Sequence, residues 1–198
     1  MWCFLIRRWP LLAALLAVPA APAAHAFVLA DGREVFCEVE RGGQPYRVPE
    51  EYIGNGKVGE RHPELGGSAA VVRRQPDGRP KIVIDAVVTE GMRAKLPLAR
   101  DFMFFHECAH IRRDTRDEVE ANCEALAEMR RRGLVDAAGE AALGAFHELM
   151  GRLPLKYGGS GKVFWADTLA CSESPGGLPD SPSAFPGLGG LFDPPYAP

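Results

Sequence analysis

The chain has 198 residues, of which 46% are hydrophobic and 25% are charged, a composition typical of a folded globular domain. Its 23 basic and 26 acidic residues give a net charge of −3, and the sequence carries neither a basic stripe nor a nucleic-acid-binding motif. Binding to DNA or RNA is therefore not expected.

The N-terminus has the order of a secretory signal peptide. Two arginines precede the apolar stretch 11–24, and residues 24–26 (Ala-His-Ala) match an A-x-A cleavage site. The apolar stretch is short and interrupted by prolines, which argues against a permanent transmembrane anchor. We predict that residues 1–26 are removed by cleavage near Ala26. The mature chain would then be periplasmic or secreted, with no stable membrane insertion.

Short strands are predicted before the first helix. Segments 27–29 and 34–39 are strand-like and flank an Asp-Gly hairpin turn. Segment 45–67 is rich in glycine, proline and charge and predicts a loop, whereas 68–74 and 81–85 are further strand candidates. A strand edge close to the following helix could bind an extended peptide through backbone hydrogen bonds, although an ordinary buried strand fits the same residues.

The segment 98–111 (LARDFMFFHECAHI) contains the most informative motif of the chain. It lacks Gly and Pro and is apolar nearly all round, which predicts a buried helix. It contains an H-E-x-x-H motif, whose histidines at positions i and i+4 lie on one helix face. His106 and His110 could therefore bind one Zn²⁺, and Glu107 could take a proton from the water that the metal activates. The alternative is a pair of core histidines that are satisfied by hydrogen bonds.

A catalytic zinc requires a third protein ligand. The residues after His110 provide acids and no histidine at the metzincin spacing. Residues 117–132 predict a second helix, which Gly133 ends, and the link 114–116 is short enough to fold this helix back antiparallel to the first. The remaining histidines, His62 and His147, lie far away in the sequence, and the nearby acids are Asp114, Asp117, Glu118, Glu120 and Glu124.

The first turn of the second helix, residues 118–122 (EVEAN), fits the pattern E-x-x-A-[DN]. Together with H-E-x-x-H it resembles the gluzincin-type zinc metallopeptidases, in the form of the second motif that heat-shock and prenyl-protein membrane proteases and ImmA/IrrE-type metallopeptidases carry. The resemblance covers about residues 97–132. It implies that Glu118 is the third zinc ligand, that Ala121 allows the two helices to approach, and that Asn122 steadies a zinc-bound histidine.

A second interpretation of Glu118 stays open at this point. Residues 115–118 (TRDE) also fit a capping box, in which Glu118 would bond back to the Thr115 amide at the start of the helix. In that case Glu120 would be the candidate ligand, although residues 117–120 (DEVE) offer a similar cap. The helix face shared by Glu118, Ala121 and Asn122 favours Glu118.

Residues 136–150 predict a third helix with an apolar stripe. On it, His147 is a candidate to donate a proton or to bond the oxyanion in the transition state, and a surface or packed histidine is the alternative. Tyr157 and His62 are comparable candidates. Residues 174–198 are rich in proline and glycine and predict an irregular, disordered tail.

Four cysteines follow the predicted signal peptide: Cys37, Cys108, Cys123 and Cys171. An even number in an exported chain predicts two disulfides. We expect a Cys108–Cys123 bond that joins the two ligand-bearing helices, with Cys37–Cys171 as its companion.

The sequence therefore predicts an α+β fold. A zincin-like domain, 27–173, would have a short N-terminal sheet followed by the buried HExxH helix and an antiparallel ligand-bearing helix. The expected protein is an exported zinc metallopeptidase that holds one Zn²⁺ per chain and hydrolyses peptide or protein substrates through a zinc-activated water. Its expected metal ligands are His106, His110 and Glu118, and its expected catalytic residues are Glu107, the general base, and His147. The alternative is a non-catalytic exported zinc-binding protein that uses the groove for partner binding or the metal for stability.

Overall fold

The computed structural model describes residues 26–54, Leu65 and residues 68–173. The predicted signal peptide up to residue 25, His62 and the predicted tail 174–198 lie outside the described residues. Within them the chain is α+β, as predicted, because short N-terminal strands are followed by helices.

The strands are β1 (Phe27–Val28), β2 (Glu34–Val35), β3 (Glu38–Arg41), β4 (Gln44–Arg47), β5 (Glu50–Ile53), β6 (Ala70–Arg74) and β7 (Pro80–Asp85). The α-helices are α1 (Ala86–Lys95), α2 (Pro97–Arg113), α3 (Glu118–Arg131), α4 (Ala137–Leu149) and α5 (Gly161–Ser172), and a 3₁₀ turn covers Leu155–Tyr157.

The strands form two hairpins and one three-stranded sheet. β1 pairs with β2 across the predicted Asp-Gly turn, and β3 pairs with β4 in the same antiparallel way. In the larger sheet β7 is central, with β5 parallel to it on one side and β6 antiparallel on the other. The prediction of a loop over 45–67 is wrong for β4 and β5. Their polar composition suits a loop, but neighbouring strands satisfy their backbone groups.

The central strand leads directly into the helical half of the domain. Asp85 ends β7 and its carboxylate accepts hydrogen bonds from the amides of Val87 and Val88, so it caps α1. After α1, Pro97 begins α2, because its fixed φ and missing amide hydrogen suit a first helical position. This route places β6, an edge of the three-stranded sheet, alongside α2.

The N-terminal hairpin also packs against α2. The ring of Phe27 stacks on Phe104 with centroids 4.3 Å apart, and the buried carboxylate of Asp101 accepts a hydrogen bond of 3.0 Å from the Ala30 amide. Because α2 packs against strands and against three other helices (α1, α3 and α4), it is buried nearly all round, as its composition predicts.

Two disulfides are present, as predicted, but both predicted pairings are wrong. The structure joins Cys37 to Cys108 and Cys123 to Cys171, with Cα atoms 5.5 and 5.7 Å apart. The reason is the helix period. Cys108 is two residues, about 200° of rotation, from His106, so it points away from α3 towards the N-terminal strands. Two disulfides indicate an oxidising compartment.

None of the helices in the described ranges is both long enough and apolar enough to cross a membrane.

Candidate metal centre

The turn between α2 and α3 sets the start of the second helix. Asp114 adopts a left-handed conformation (φ 50°) that ends α2. Asp117 then caps α3, because its carboxylate accepts hydrogen bonds from the amides of Val119 and Glu120. The cap is therefore Asp117, which leaves Glu118 at the first helical position, with its side chain against α2. The capping-box interpretation of Glu118 is wrong.

Three side chains from the two helices converge on one point. His106 and His110 lie one turn apart on α2, and Glu118 faces them from α3. The Nε2 atoms of the two histidines are 3.0 Å apart, and Oε2 of Glu118 is 3.2 Å from Nε2 of His106 and 3.5 Å from that of His110. In the described part of the chain, this is the one group of three or more such side chains that could hold a metal ion, and it does not include Glu120.

Hydrogen bonds at the far side of each ring fix which nitrogen carries the proton. Nδ1 of His110 is 3.0 Å from the carbonyl oxygen of Thr115, which can only accept, so this nitrogen donates. Nδ1 of His106 is 2.7 Å from the side-chain oxygen of Asn122 and donates in the same way. When such a ring is neutral, its Nε2 lone pair faces the other two side chains, the state in which histidine binds a metal.

The donor set fits a small divalent cation. In a tetrahedron with metal–ligand distances of roughly 2.0–2.1 Å, neighbouring ligand atoms are about 3.3 Å apart. The three separations in this site, 3.0, 3.2 and 3.5 Å, bracket that value. Three acceptor atoms at this spacing repel one another unless a proton or a cation lies between them. Two imidazoles and one carboxylate form the ligand set of several catalytic zinc sites.

The electrostatics of His110 also favour a positive charge at this point. Burial is the strongest influence on the ring and lowers its pKa. The hydrogen bond to Glu118, the charges of Glu107 and Glu118, and the Thr115 carbonyl outweigh burial, so the pKa of His110 is raised above its ordinary value. The same field that attracts a proton attracts a metal cation.

Glu107 lines a cleft of about 880 Å³ that also contains the three converging side chains. The residue is 8% exposed and lies on α2 between the two histidines. One wall of the cleft is β6, which in the described part of the chain pairs with β7 alone. The lining also includes the apolar side chains of Phe102, Met103 and Phe164. The cleft thus brings together three side chains that could hold a metal ion, an acid and a sheet edge.

His147 and Tyr157 line the same cleft, so the fold brings both near the cluster. The ring of His147 is 3% exposed, stacks on Trp165 at 4.8 Å and donates from Nδ1 to the Leu143 carbonyl over 2.8 Å. Burial, followed by the nearby His106, lowers the pKa of His147. The neutral ring therefore presents an acceptor at Nε2 and must first bind a proton there before it can donate one. Its catalytic role stays a prediction.

Sequence reasoning missed one residue of this site. Thr168, fully buried on α5, accepts a hydrogen bond of 3.0 Å from the Asn122 side-chain amide. The helix that carries it was not expected, because its first residue, Gly161, belongs to a glycine-rich stretch. Ser160 caps that helix by accepting from the Val163 amide, and this N-cap serine was the available signal.

No protein-family model, curated protein or solved structure matches this chain.

Proposed function

We propose that the protein is an exported zinc-dependent metallopeptidase that binds one Zn²⁺ through His106, His110 and Glu118. The observation that carries the proposal is the convergence of two imidazole nitrogens and a carboxylate oxygen within 3.5 Å of one another. A bound zinc would polarise the scissile carbonyl and lower the pKa of a water molecule to about 7.

The residues of the chain divide the remaining work. Glu107 would accept the proton of the attacking water on its carboxylate and return it to the leaving nitrogen, the usual task of a general base and acid. Glu107 is not one of the three clustered side chains, so this role would not compete with metal binding. Asn122 and the Thr115 carbonyl would hold the two imidazoles in their ligand orientation.

The cleft supports a peptide as the substrate. Strand β6 runs along it, and its register with β7 pairs Val71 with Val83 and Val72 with Ile82. An extended peptide could add to the other side of β6 by backbone hydrogen bonds, and this would bring a peptide bond alongside the α2 side chains. The predicted signal peptide and the two disulfides support export to an oxidising compartment.

Three variants separate metal binding from chemistry. We expect Glu107→Gln to keep about one zinc per chain and to lose roughly 10²–10⁴-fold in hydrolysis of a mixed peptide library. Glu118→Ala should lose zinc because it removes one of three protein ligands. Glu120→Ala is the matched control on the same helix turn and should keep both zinc and activity. Elemental analysis and mass-spectrometric detection of cleavage products provide the two measurements.

Each arm can contradict part of the proposal. Full hydrolysis by Glu107→Gln would refute Glu107 as the general base. Zinc retained by Glu118→Ala would refute the ligand set. A wild-type protein that binds zinc tightly but cleaves no peptide would support the alternative, an exported zinc-binding protein without catalysis.

A further inference from the structure

We propose that Thr168 on α5 is a positioning residue for the metal centre. It is not one of the three ligands, and its side-chain hydroxyl bonds Asn122 and the Phe164 carbonyl. It acts through Asn122, whose orientation it fixes, and thereby determines which nitrogen of His106 faces the metal. The inference rests on the zinc site of the proposed function and is independent of whether the protein hydrolyses peptides.

The chain of hydrogen bonds begins at a backbone carbonyl. The Thr168 hydroxyl lies 2.8 Å from the carbonyl oxygen of Phe164, one turn earlier on α5. A carbonyl oxygen can only accept, so the single hydroxyl hydrogen of Thr168 is donated there. The hydroxyl oxygen can then only accept from its second neighbour, the Asn122 side chain at 3.0 Å.

This requirement selects one of the two orientations of the Asn122 amide. Its NH₂ group must face Thr168, so its oxygen faces His106, where it lies 2.7 Å from Nδ1. Nδ1 of His106 must therefore carry the hydrogen, and Nε2 keeps its lone pair. Through Asn122, Thr168 on α5 thus makes Nε2 of His106 the nitrogen that can bind a metal.

The opposite orientation is unfavourable at both ends. The Asn122 oxygen would face the Thr168 oxygen, and the hydroxyl could donate to it only by giving up its hydrogen bond to the Phe164 carbonyl. Both side chains are buried, 1% and 0% exposed, so water could not relieve the contact. The amide NH₂ would face Nδ1 of His106 and move the ring hydrogen to Nε2, the atom that lies 3.0 Å from His110 and 3.2 Å from Glu118. A hydrogen there excludes a metal ion.

The disulfide between α3 and α5 maintains the contact. Cys123 follows Asn122 on α3, and Cys171 lies about one turn beyond Thr168 on α5. The covalent link holds the Cα atoms of the two cysteines 5.7 Å apart. The two helices therefore cannot separate at the level of the Asn122–Thr168 hydrogen bond without breaking the disulfide or bending a helix.

The first experiment compares zinc affinity in purified variants by competition with a chelator of known affinity. Thr168→Val keeps the shape of the side chain and removes the hydroxyl, and we expect the zinc dissociation constant to rise roughly 10–100-fold. Thr168→Ser restores the hydroxyl and should bind zinc close to the wild type. Thr89→Val is the matched control. Thr89 is also buried and bonds a carbonyl four residues earlier, but it lies on α1 away from the cleft.

The second experiment reads the hydrogen position directly in the metal-free protein. In ¹⁵N NMR spectra at pH 8, we expect His106 of the wild type to carry its hydrogen on Nδ1. In Thr168→Val, the form with hydrogen on Nε2 should become populated. This measurement does not depend on activity, so it still reports if the wild type proves not to cleave peptides.

Several outcomes would overturn the proposal. One is a folded Thr168→Val that binds zinc as the wild type does, and another is a Thr168→Ser that binds as weakly as the valine variant. If the valine variant fails to fold, the wild-type spectrum decides, because a hydrogen on Nε2 of His106 contradicts the inference by itself.

Discussion

The buried carboxyl of Glu50 on β5 makes the stability of the fold depend on pH. The side chain is 8% exposed; one of its oxygens accepts a 2.7 Å hydrogen bond from the Tyr52 hydroxyl, and the other has no hydrogen-bond partner among the described residues. Burial is the main cause that raises the pKa of Glu50 from 4.5 to about 7, against the smaller opposing effects of Tyr52 and Arg100. The folded state thus holds this proton more tightly than the unfolded state does.

The sign and size of the effect follow from that difference in proton affinity. Where the folded state binds more protons, the free energy of unfolding falls as pH rises. For Glu50 the fall begins near pH 4.5 and is complete above pH 7. A tenfold difference in proton affinity corresponds to about 1.4 kcal/mol. The free energy of unfolding of the wild type should therefore fall by about 2–3 kcal/mol between pH 5 and pH 8. Glu50→Gln is the reference for this change, because it has no carboxyl to ionise.

Urea denaturation of the metal-free protein at pH 5 and pH 8 measures this difference. Removal of the metal keeps the pH dependence of zinc binding out of the comparison. Glu34→Gln, which changes an exposed carboxyl on β2, is the matched control and should follow the wild type at both pH values. Parallel pH profiles for the wild type and Glu50→Gln would refute the reasoning.

Two further predictions concern the packing of α5 and the metal site. A Cβ atom on Gly161 would lie 1.8 Å from the carbonyl oxygen of His147, so Gly161→Ala should lower the free energy of unfolding by about 3 kcal/mol. Gly91 is the contrasting case, because it is an exposed helical position with open space around it. Gly91→Ala should raise the free energy of unfolding by roughly 0.5–1 kcal/mol. Urea denaturation measures the free energy of unfolding of both variants. Equal changes in Gly161→Ala and Gly91→Ala would contradict the prediction. Zinc affinity should fall steadily as the pH drops through the raised pKa of His110, because a proton competes for Nε2. Calorimetric titrations in two buffers of different ionisation enthalpy should detect proton release below that pKa, and equal zinc affinities at pH 5.5 and 7.5 would contradict the prediction.

The sequence was most informative where the residues of a short segment determine its secondary structure by themselves. The apolar run around the H-E-x-x-H motif has to be a buried helix, and α2 covers Pro97–Arg113. The positions of His106 and His110 follow from the helix period alone. The hairpin at residues 27–35 and the helix after Asp136 are equally local, because turn and cap residues mark them.

The sequence was least informative where a partner from elsewhere in the chain decides. The composition of β4 and β5 is typical of a loop, yet both are strands. Pairing with neighbouring strands satisfies their backbone groups, and the composition of a segment does not reveal such pairing. The prediction of Cys108–Cys123 failed for a similar reason. It used the proximity of two helices in sequence, whereas the rotation of Cys108 about α2 directs it to Cys37.

The sequence by itself therefore determined the two histidines, the acid between them and the helix that carries them, since these depend on a repeat of 3.6 residues. Only the tertiary structure decided the rest of the centre. It assigned the helix cap to Asp117, which leaves Glu118 for the histidines, and it placed Thr168 of α5 against Asn122. These choices depend on which faces of three helices pack together, and that packing minimises a free energy to which residues far apart in the sequence contribute jointly.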